Sequence, residues 1–453
     1  MLQVINPTNG EQIYEISPLT PEETNVQLNG ANQAFKTWKT KSFVERGVVL
    51  KNVAVELRKK KSEIAIIMAE EMGKPIKEGE AEVEKSAWCA EYYAEHAEQY
   101  LQKEILLSDA SLSYVCFQPL GTILGILPWN APLWLAFRFC APALMAGNTC
   151  AMKHDPHVPK TAQAITDAFI AAEAPADILV NLPLETPAVS PLIADGRIAA
   201  VSFTGSSVGG RKVAAAAGAA LKPCVLELGG SDPCIVMADA DLEKAADTAV
   251  LSRIINAGQS CIAAKRILVE KAIYPAFVDM LKVRLSKLTL GDPQDQATDI
   301  GPIARKDLRD NLHRQVQSSI DAGATCLLGG VLPEGKGYFY PVTLLTDVTP
   351  DMSVFIEETF GPVACVTPID NAEMGLQLAN QTDYGLGAAA WTNNTKVAEY
   401  FAENIIAGQV AVNGIVKTDP RLPSGGVKCS GIGRELGPHG IKEFVNAKQI
   451  WIK

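Results

Sequence analysis

The chain has 453 residues, of which 47% are hydrophobic and 20% charged, so a folded protein of two or three domains is expected and a disordered chain is not. The formal net charge of −10 argues against nucleic acid or a membrane as a partner, because both call for a basic surface. Ten cysteines without paired or metal-ligand spacing indicate reduced thiols in the cytoplasm, and no metal site is expected.

No targeting or membrane-spanning segment is expected. Residues 1–7 lack the charged-then-apolar order of a signal peptide. The most apolar region, residues 120–147, carries three prolines together with Asn130 and Arg138. This composition predicts buried elements of a soluble enzyme rather than a lipid-facing helix.

The first hundred residues are predicted to be helical. Two capping boxes mark helix starts there: Thr20 with Glu23, and Ser42 with Glu45. The second box precedes a long amphipathic stretch that ends near Gly73, and a further helix is expected over residues 77–100.

From residue 111 onward, short apolar runs alternate with helical stretches. An alternating strand is predicted over 111–117, and the other strands of this half are expected at 121–127, 149–153, 178–182, 199–203 and 224–228. Helices are expected at 133–146, 159–172 and 210–219. Such alternation predicts a parallel sheet with helices on both faces.

In the second half of the chain, predicted strands and helices alternate in the same way. A helix capped by Asp241 is expected to run through about Ala257, followed by a strand at 267–270 and a helix at 274–288. Later strands are expected at 325–328, 363–368, 388–391 and 409–412. The pattern therefore predicts two α/β domains with an active site between them.

Two side chains stand out as candidates for chemistry. Cys261 follows Gly258-Gln259-Ser260, and small neighbours would let a substrate carbonyl reach its thiolate. A buried cysteine that only fills space is the alternative. Glu227 ends an apolar strand, where burial would raise its pKa toward that of a general base; a capped strand end is the other interpretation.

Four further segments are typical of dinucleotide binding beside a nucleophile. The turn from Phe203 to Arg211 follows a strand and opens a helix, as a phosphate-binding turn does, although an ordinary tight turn is equally compatible. Asn130 lies in a rigid turn from which its amide could bond an oxyanion. Lys153 could bond a ribose or a phosphate, and the Glu357–Pro362 segment sets carboxylates beside an aromatic ring.

Together these motifs resemble the signature set of the NAD(P)-dependent aldehyde dehydrogenase superfamily, in the family's order and over almost the whole chain. The motifs are Trp129-Asn130, Phe203-Thr204-Gly205-Ser206, Glu227-Leu228-Gly229-Gly230, Gly258-Gln259-Ser260-Cys261 and Glu358-Thr359-Phe360-Gly361-Pro362. The resemblance implies that Cys261 attacks the aldehyde, that Asn130 and the Cys261 amide hold the oxyanion, and that Glu227 activates water to hydrolyse the thioester. The cofactor contacts that it implies are Trp129, Lys153, Gly205, Ser206, Glu358 and Phe360.

The resemblance also implies an aldehyde-dehydrogenase-like α/β fold with two Rossmann-like parallel-sheet domains and a small β oligomerisation element. Residues 1–109 and 121–227 would form the cofactor-binding domain, and residues 228–431 the catalytic domain. Residues 110–120 and 432–453 would pair as the oligomerisation element, so a homodimer or homotetramer is expected.

Arg138 suggests the substrate. It lies nine residues after Trp129, at a position similar to that of an arginine that holds the far carboxylate in succinate-semialdehyde dehydrogenases, and Thr418 falls where a hydroxyl assists. A structural ion pair is the alternative for Arg138. A second carboxylate-binding arginine of some relatives is Ile255 here, with Arg253 expected to face elsewhere.

Two other positions depart from relatives. Ala263 stands where some carry a second cysteine, so a disulfide switch cannot form there. Pro156 stands where many NAD-preferring relatives carry a glutamate, which predicts use of both NAD and NADP, although Asp155 could replace part of that carboxylate.

The leading hypothesis from the sequence is a succinate-semialdehyde dehydrogenase. Another semialdehyde or an aliphatic aldehyde is the alternative substrate. A non-catalytic structural relative is disfavoured because Cys261, Glu227 and Asn130 are all present. A CoA-acylating enzyme is also disfavoured, because such relatives usually lack the hydrolytic glutamate that Glu227 matches.

Overall fold

Local capping signals start the N-terminal helices where the sequence predicts them. In the computed structural model, which describes residues 1–453, the side chains of Thr20 and Ser42 accept hydrogen bonds from the backbone amides of Glu23 and Glu45. Both glutamates accept a bond in return from the backbone amide of the capping residue, which confirms the two capping boxes. The long stretch after Ser42 is interrupted at Lys60, so it forms two helices rather than one.

The helices lie in the order expected of an α/β protein. They are α1 (Pro21–Trp38), α2 (Phe43–Lys59), α3 (Lys61–Met72), α4 (Ile76–Tyr100), α5 (Pro132–Met145), α6 (Pro159–Ala171), α7 (Val189–Ala194), α8 (Ser207–Ala219), α9 (Leu242–Ile254), α10 (Tyr274–Leu285), α11 (Lys306–Asp321), α12 (Ser353–Ile356), α13 (Ala372–Asn380), α14 (Thr395–Asn404) and α15 (Gly437–Gly440).

The strands form four sheets. They are β1 (Leu2–Asn6), β2 (Glu11–Ile16), β3 (Glu104–Ile105), β4 (Leu112–Pro119), β5 (Thr122–Leu127), β6 (Thr149–His154), β7 (Leu179–Asn181), β8 (Ile198–Thr204), β9 (Cys224–Glu227), β10 (Asp232–Val236), β11 (Ala264–Glu270), β12 (Thr325–Leu328), β13 (Thr343–Thr346), β14 (Val363–Ile369), β15 (Gly387–Trp391), β16 (Gln409–Val412), β17 (Gly431–Ile432) and β18 (Val445–Ile452).

The first large sheet has the order β17-β9-β8-β5-β6-β7 and is parallel except for β17. Two hydrophobic clusters of 47 and 17 buried residues include side chains from this sheet and the helices around it. Every residue of β5 and of α5 is buried. This burial explains why the region that carries both elements is the most apolar of the sequence. None of the helices has both the length and the apolarity needed to cross a membrane.

The second large sheet has the order β12-β13-β14-β11-β10-β15-β16 and is parallel except for β12. The prediction of two parallel-sheet units is therefore confirmed. The sequence reasoning missed β10 and β13, because Asp232 and Pro233 interrupt the apolar run of β10 and β13 is only four residues long. β10 nevertheless lies inside the sheet, between β11 and β15.

A small antiparallel sheet has the order β18-β4-β3. β18 pairs with β4 over eight residues, from Val445 opposite Pro119 to Ile452 opposite Leu112. The two segments assigned from the sequence to an oligomerisation element are thus paired with each other. The short strand β17 instead joins the first large sheet beside Glu227.

Gly125 lets α5 lie close to β5. A Cβ atom at Gly125 would stand 2.4 Å from the Cε1 atom of Phe139, which is buried in α5. We expect Gly125→Ala to destabilise the protein by about 1–3 kcal/mol, because the packed ring must move. The measurement is the shift of the thermal unfolding midpoint.

Gly218→Ala is the matched control. Gly218 lies in α8, and a Cβ atom added there would have no neighbouring atom within 4 Å. This change is therefore expected to stabilise the helix by about 0.5–1 kcal/mol. Equal midpoint shifts for the two variants would contradict the packing argument.

Candidate active site

The predicted site residues of the first half lie at one edge of the first large sheet. β5, β6, β8 and β9 are parallel, so their carboxyl ends meet at the same edge. Asn130 and Gly205 follow β5 and β8, Lys153 lies near the end of β6, and Glu227 is the last residue of β9. The backbone amide of Gly205 donates to the carbonyl of Glu227, at 3.0 Å, which joins the phosphate-type turn to the glutamate strand.

The backbone before Cys261 has an uncommon conformation. The predicted extension of α9 to Ala257 is wrong, because the helix ends at Ile254 and a 3-10 turn follows over Ile255–Gly258. Asn256, Ala257 and Gly258 are all left-handed, with φ angles of 55°, 53° and 74°. Two consecutive non-glycine residues in this region are costly, so tertiary contacts must hold them there.

Those contacts come from two distant elements. The backbone amide of Asn256 donates to Oε2 of Glu78 in α4, at 2.7 Å, and its side-chain amide donates to the carbonyl of Asn130, also at 2.7 Å. The Asn130 side chain in turn donates to the carbonyl of Gln259, at 3.1 Å. Asn130 is therefore hydrogen-bonded to the residue two positions before Cys261. Its contact with an oxyanion stays a prediction.

Arg253 fastens the cysteine loop to the Glu358–Gly361 segment. Its Nη2 atom donates to the carbonyls of Gly258 and Gly361, both at 2.6 Å, and the side chain is fully buried. A Cβ atom at Gly258 would stand 2.3 Å from the Gly361 oxygen, so only glycine permits this approach. The expectation that Arg253 faces away from the substrate agrees with these contacts.

Lys265 is a second buried cation beside the nucleophile. Its Nζ atom donates to the carbonyl of Cys261 at 2.7 Å and to that of Gly230 at 2.6 Å, and it forms an ion pair with Oε1 of Glu358 at 2.9 Å. The same Glu358 oxygen accepts the backbone amide of Gly230. One ammonium group therefore positions both the cysteine backbone and the carboxylate expected at the cofactor.

Burial favours the protonated thiol of Cys261 over the thiolate. Burial raises the pKa of Cys261 to about 11, and the charges of Lys265 and Arg138 work against this rise. Glu358 and Glu227 raise the same pKa further. The balance of these neighbouring charges thus controls how readily the nucleophilic thiolate forms.

Glu227 has the environment expected of a general base. It is 4% exposed, its Oε1 atom has no hydrogen-bond partner, and its Oε2 atom accepts from Nη2 of Arg138 at 3.1 Å. Burial raises the pKa of Glu227 above its usual range, and Arg138 partly opposes that rise. An unpartnered oxygen on a carboxylate of raised pKa is suited to accept a proton from water.

Arg138 is paired with two buried carboxylates. Its Nε atom donates to Oε2 of Glu435 at 2.6 Å, in addition to the bond between Nη2 and Glu227. Ser202 donates to the other oxygen of Glu435, at 3.1 Å. The structure thus contains the ion pair that was the alternative interpretation of Arg138, and its contact with a substrate stays a prediction.

Thr418 lies beside a different cation. Its Oγ1 atom accepts from Nζ of Lys85 and from Nε1 of Trp134, both at 3.0 Å. Trp134 lies one helical turn before Arg138 in α5. Thr418 therefore contacts α5 one turn away from the position of Arg138.

The expected cofactor residues are compatible with a dinucleotide. Ser206 caps α8, its Oγ atom accepting the amide of Gly209, and the helix start favours a phosphate. Lys153 forms no ion pair and remains available to an anion. Trp129 and Phe360 pack edge to face with ring centroids 5.9 Å apart.

Asp155 is engaged by its own loop. His157 contacts Oδ1 of Asp155 through Nδ1 at 2.6 Å and through its backbone amide at 3.0 Å. The carboxylate that could have replaced the missing glutamate at Pro156 is therefore turned toward His157. No cluster of three or more potential metal ligands occurs in the chain.

Sequence reasoning did not identify Lys85, Lys265 or Glu435 as site residues. All three are charged, and an unpaired charge in an apolar segment is the signal that could have marked Lys265, at the start of a buried strand. Their side-chain partners lie 93 residues (Lys265–Glu358), 297 residues (Glu435–Arg138) and 333 residues (Lys85–Thr418) away, so spacing could not reveal them.

Comparison with known proteins gives consistent matches. Residues 1–450 match the model of the aldehyde dehydrogenase family. The chain is 44% identical over 451 residues to a probable succinate-semialdehyde dehydrogenase (NADP+) of Synechocystis sp., with 100% of this chain and 99% of that protein covered. It is 43% identical over 455 residues to the succinate-semialdehyde dehydrogenase (NADP+) of Mycolicibacterium paratuberculosis, with 100% and 96% covered.

A solved structure agrees with these sequence matches. The crystal structure of succinic semialdehyde dehydrogenase from Streptococcus pyogenes in complex with NADP+ superposes with a TM-score of 0.96. The two chains are 33% identical, and 99% of each is covered. The α/β fold with two parallel-sheet units that the sequence predicts is therefore confirmed.

The Lys265–Glu358 pair predicts opposite effects of two substitutions on the thiol. We expect Lys265→Met to raise the pKa of Cys261 and Glu358→Gln to lower it, because the two charges act on Cys261 with opposite signs. The measurement is the pH dependence of Cys261 alkylation by iodoacetamide, followed by mass spectrometry of its peptide. Shifts in the same direction would contradict this account.

Proposed function

Because the chain belongs to the aldehyde dehydrogenase family, we propose that it oxidises succinate semialdehyde to succinate with NADP+ or NAD+. The observation that carries the chemistry is that Asn130 and the buried Glu227 lie at one edge of the first large sheet, the Asn130 amide bonds the Cys261 loop, and Glu227 is close enough to act on the Cys261 thiol. The substrate is inferred from full-length relatives that are named succinate-semialdehyde dehydrogenases.

The first half of the reaction uses Cys261. Its thiolate attacks the aldehyde carbon, and the carbonyl oxygen becomes an oxyanion that the Asn130 side chain and the Cys261 amide stabilise. The Asn130 side-chain amide has two N–H donors, and only one of them is used in the bond to Gln259, so the other can make this contact. The bound cofactor supplies a hydride acceptor, and Cys261 is left as a thioester.

The second half uses Glu227. Its unpartnered Oε1 atom takes a proton from water, and the resulting hydroxide attacks the thioester carbon. The carbon–sulfur bond breaks, which releases the carboxylic acid product and returns Cys261. Arg138 and Glu435 position Glu227 from the opposite side through the buried ion pair.

The cofactor proposal is use of both NADP+ and NAD+. Relatives are named for NADP+, and Pro156 removes a carboxylate that would repel a 2′-phosphate. The contact between Asp155 and His157 supports the same proposal, because it turns the remaining carboxylate to a protein partner. Lys153, Gly205, Ser206, Glu358, Trp129 and Phe360 would form the cofactor contacts.

We further propose a homodimer or homotetramer assembled through the β18-β4-β3 sheet. β18 is an edge strand, and such an edge can pair with another chain. Leu107 and Trp451, in or beside this sheet, are 100% and 46% exposed.

All ten cysteines are free, which supports a cytoplasmic location.

A panel of aldehydes tests the substrate. We expect kcat/KM for succinate semialdehyde to exceed that for butanal by about tenfold or more, because a charged contact is made with only one of them. Turnover is expected with both NADP+ and NAD+. A panel in which butanal or another semialdehyde ranks first would reject succinate semialdehyde as the substrate, and no turnover with NADP+ would reject the cofactor proposal.

Glu227→Gln tests the hydrolytic step. The variant should still form the thioester, so rapid mixing is expected to show one burst of NADPH per active site followed by turnover slowed about 100-fold or more. In the wild-type enzyme the steady rate should rise with pH as Glu227 loses its proton. Loss of the burst together with the steady rate would contradict a role confined to hydrolysis.

A further inference from the structure

We propose that Lys85, with the hydroxyl of Thr418, binds the distal carboxylate of the semialdehyde and so determines substrate specificity. This inference rests on the proposed function: the sequence predicted contacts from Arg138 and Thr418, and Lys85 is the residue that the structure adds in place of Arg138. Lys85 lies in α4 and is partly buried against α5 and the loop that contains Thr418.

Lys85 is a cation without an anionic partner. Its Nζ atom donates to Oγ1 of Thr418 and lies 4.2 Å from the centre of the Trp134 ring, and it forms no ion pair. The nearby carboxylates are already occupied. Oε1 of Glu82 accepts the amides at the start of α5, its Oε2 pairs with Lys74, and Asp419 is bound by Arg421 at 2.6 and 2.8 Å.

Arg138 differs from Lys85 in its charge balance. Two glutamates contact its guanidinium, and both are buried. A substrate carboxylate at Arg138 would have to displace one of them or add a third negative charge to the cluster. At Lys85 the same carboxylate would form the first ion pair, so electrostatics favour Lys85 as the anion-binding group.

The placement suits a short substrate. Trp134 and Arg138 are separated by about one helical turn, close to 5.4 Å along α5, and Arg138 contacts Glu227 beside the reacting centre. Lys85 lies over the Trp134 ring and close enough to Arg138 for the two charges to interact, and Arg138 in turn contacts Glu227, the proposed general base. A four-carbon chain with an aldehyde at one end and a carboxylate at the other matches this arrangement.

Thr418 completes the group of donors. Its oxygen already accepts two hydrogen bonds, from Lys85 and from Trp134, and its hydroxyl hydrogen has no acceptor in the protein. That hydrogen is thus available to a carboxylate oxygen beside the ammonium. The buried Trp134 ring gives the ammonium an apolar wall on one side, which strengthens a charged contact there.

The titration of Lys85 supports this assignment. Burial and the charge of Arg138 lower the pKa of Lys85 to about 8, while Glu82 and Cys89 in α4 and Asp419 in the Thr418 loop oppose that change. A bound carboxylate would compensate the cost of the buried charge. The ammonium should therefore bind an anionic aldehyde below about pH 8 and lose affinity above it.

The test compares Lys85→Met with Lys77→Met, using the full-length enzyme. Lys77 lies in the same helix but pairs with Asp299 at the surface, so its removal controls for loss of a lysine from α4. We expect Lys85→Met to lower the ratio of kcat/KM for succinate semialdehyde to that for butanal by about tenfold or more. Lys77→Met should leave the ratio unchanged.

Lys85→Arg provides the second arm. In the wild-type enzyme the ratio should fall as pH rises through about 8, because Lys85 loses its proton, whereas an arginine stays charged and should keep the ratio constant. The titration of Cys261 affects both aldehydes and cancels in the ratio. A melting curve of each variant establishes that it is folded.

The outcomes separate this inference from the proposed function. If the wild-type enzyme prefers succinate semialdehyde and Lys85→Met retains that preference, the role of Lys85 is rejected and the function stands. A wild-type enzyme without the preference rejects both. If Lys85→Met does not fold, a pH-independent wild-type ratio, or the same pH dependence in Lys85→Arg as in the wild type, rejects the role of Lys85.

Discussion

The position of Cys261 depends on two buried cations whose hydrogen bonds go largely to backbone carbonyl oxygens. Arg253 joins Gly258 to Gly361, and Lys265 joins the Cys261 carbonyl to Gly230 and Glu358. Together with the contacts of Asn256 to Glu78 and Asn130, these bonds hold the two non-glycine left-handed residues that precede Gly258. The Gly258–Cys261 segment and the Glu358–Gly361 segment are consequently held together. A change in either segment should therefore alter the pKa of the Cys261 thiol.

Charge is divided unevenly along α5 and its neighbours. Around Arg138, two buried carboxylates share one guanidinium, and one of them is Glu227, the proposed general base. Beside Trp134 of the same helix, Lys85 of α4 has no carboxylate partner. The first cluster serves the chemistry common to aldehydes, and the second offers a site for a charge that only some aldehydes carry. Chemistry and selectivity can therefore depend on cations of two packed helices, Arg138 in α5 and Lys85 in α4.

Capping chemistry and apolar periodicity specified most elements, because both are local. The capping boxes at Thr20 and Ser42 and the strands from β5 to β9 were predicted close to their observed bounds. Local reasoning failed where tertiary contacts override it. α9 ends at Ile254 because Glu78 and Asn130 hold Asn256 in a left-handed conformation. β10 was missed because Asp232 and Pro233 interrupt its apolar pattern, although the whole strand is buried in the sheet.

The sequence by itself determined the fold class, the family resemblance and the identity of the candidate nucleophile, base and oxyanion donor, since these follow from short motifs in a fixed order. It did not determine what the charged side chains contact. Glu227 and Glu435 lie 89 and 297 residues from Arg138, and Thr418 lies 333 residues from Lys85. Only the folded chain brings such groups together, and the desolvation of each charge by its neighbours then decides which cation is already neutralised and which can still bind an anion.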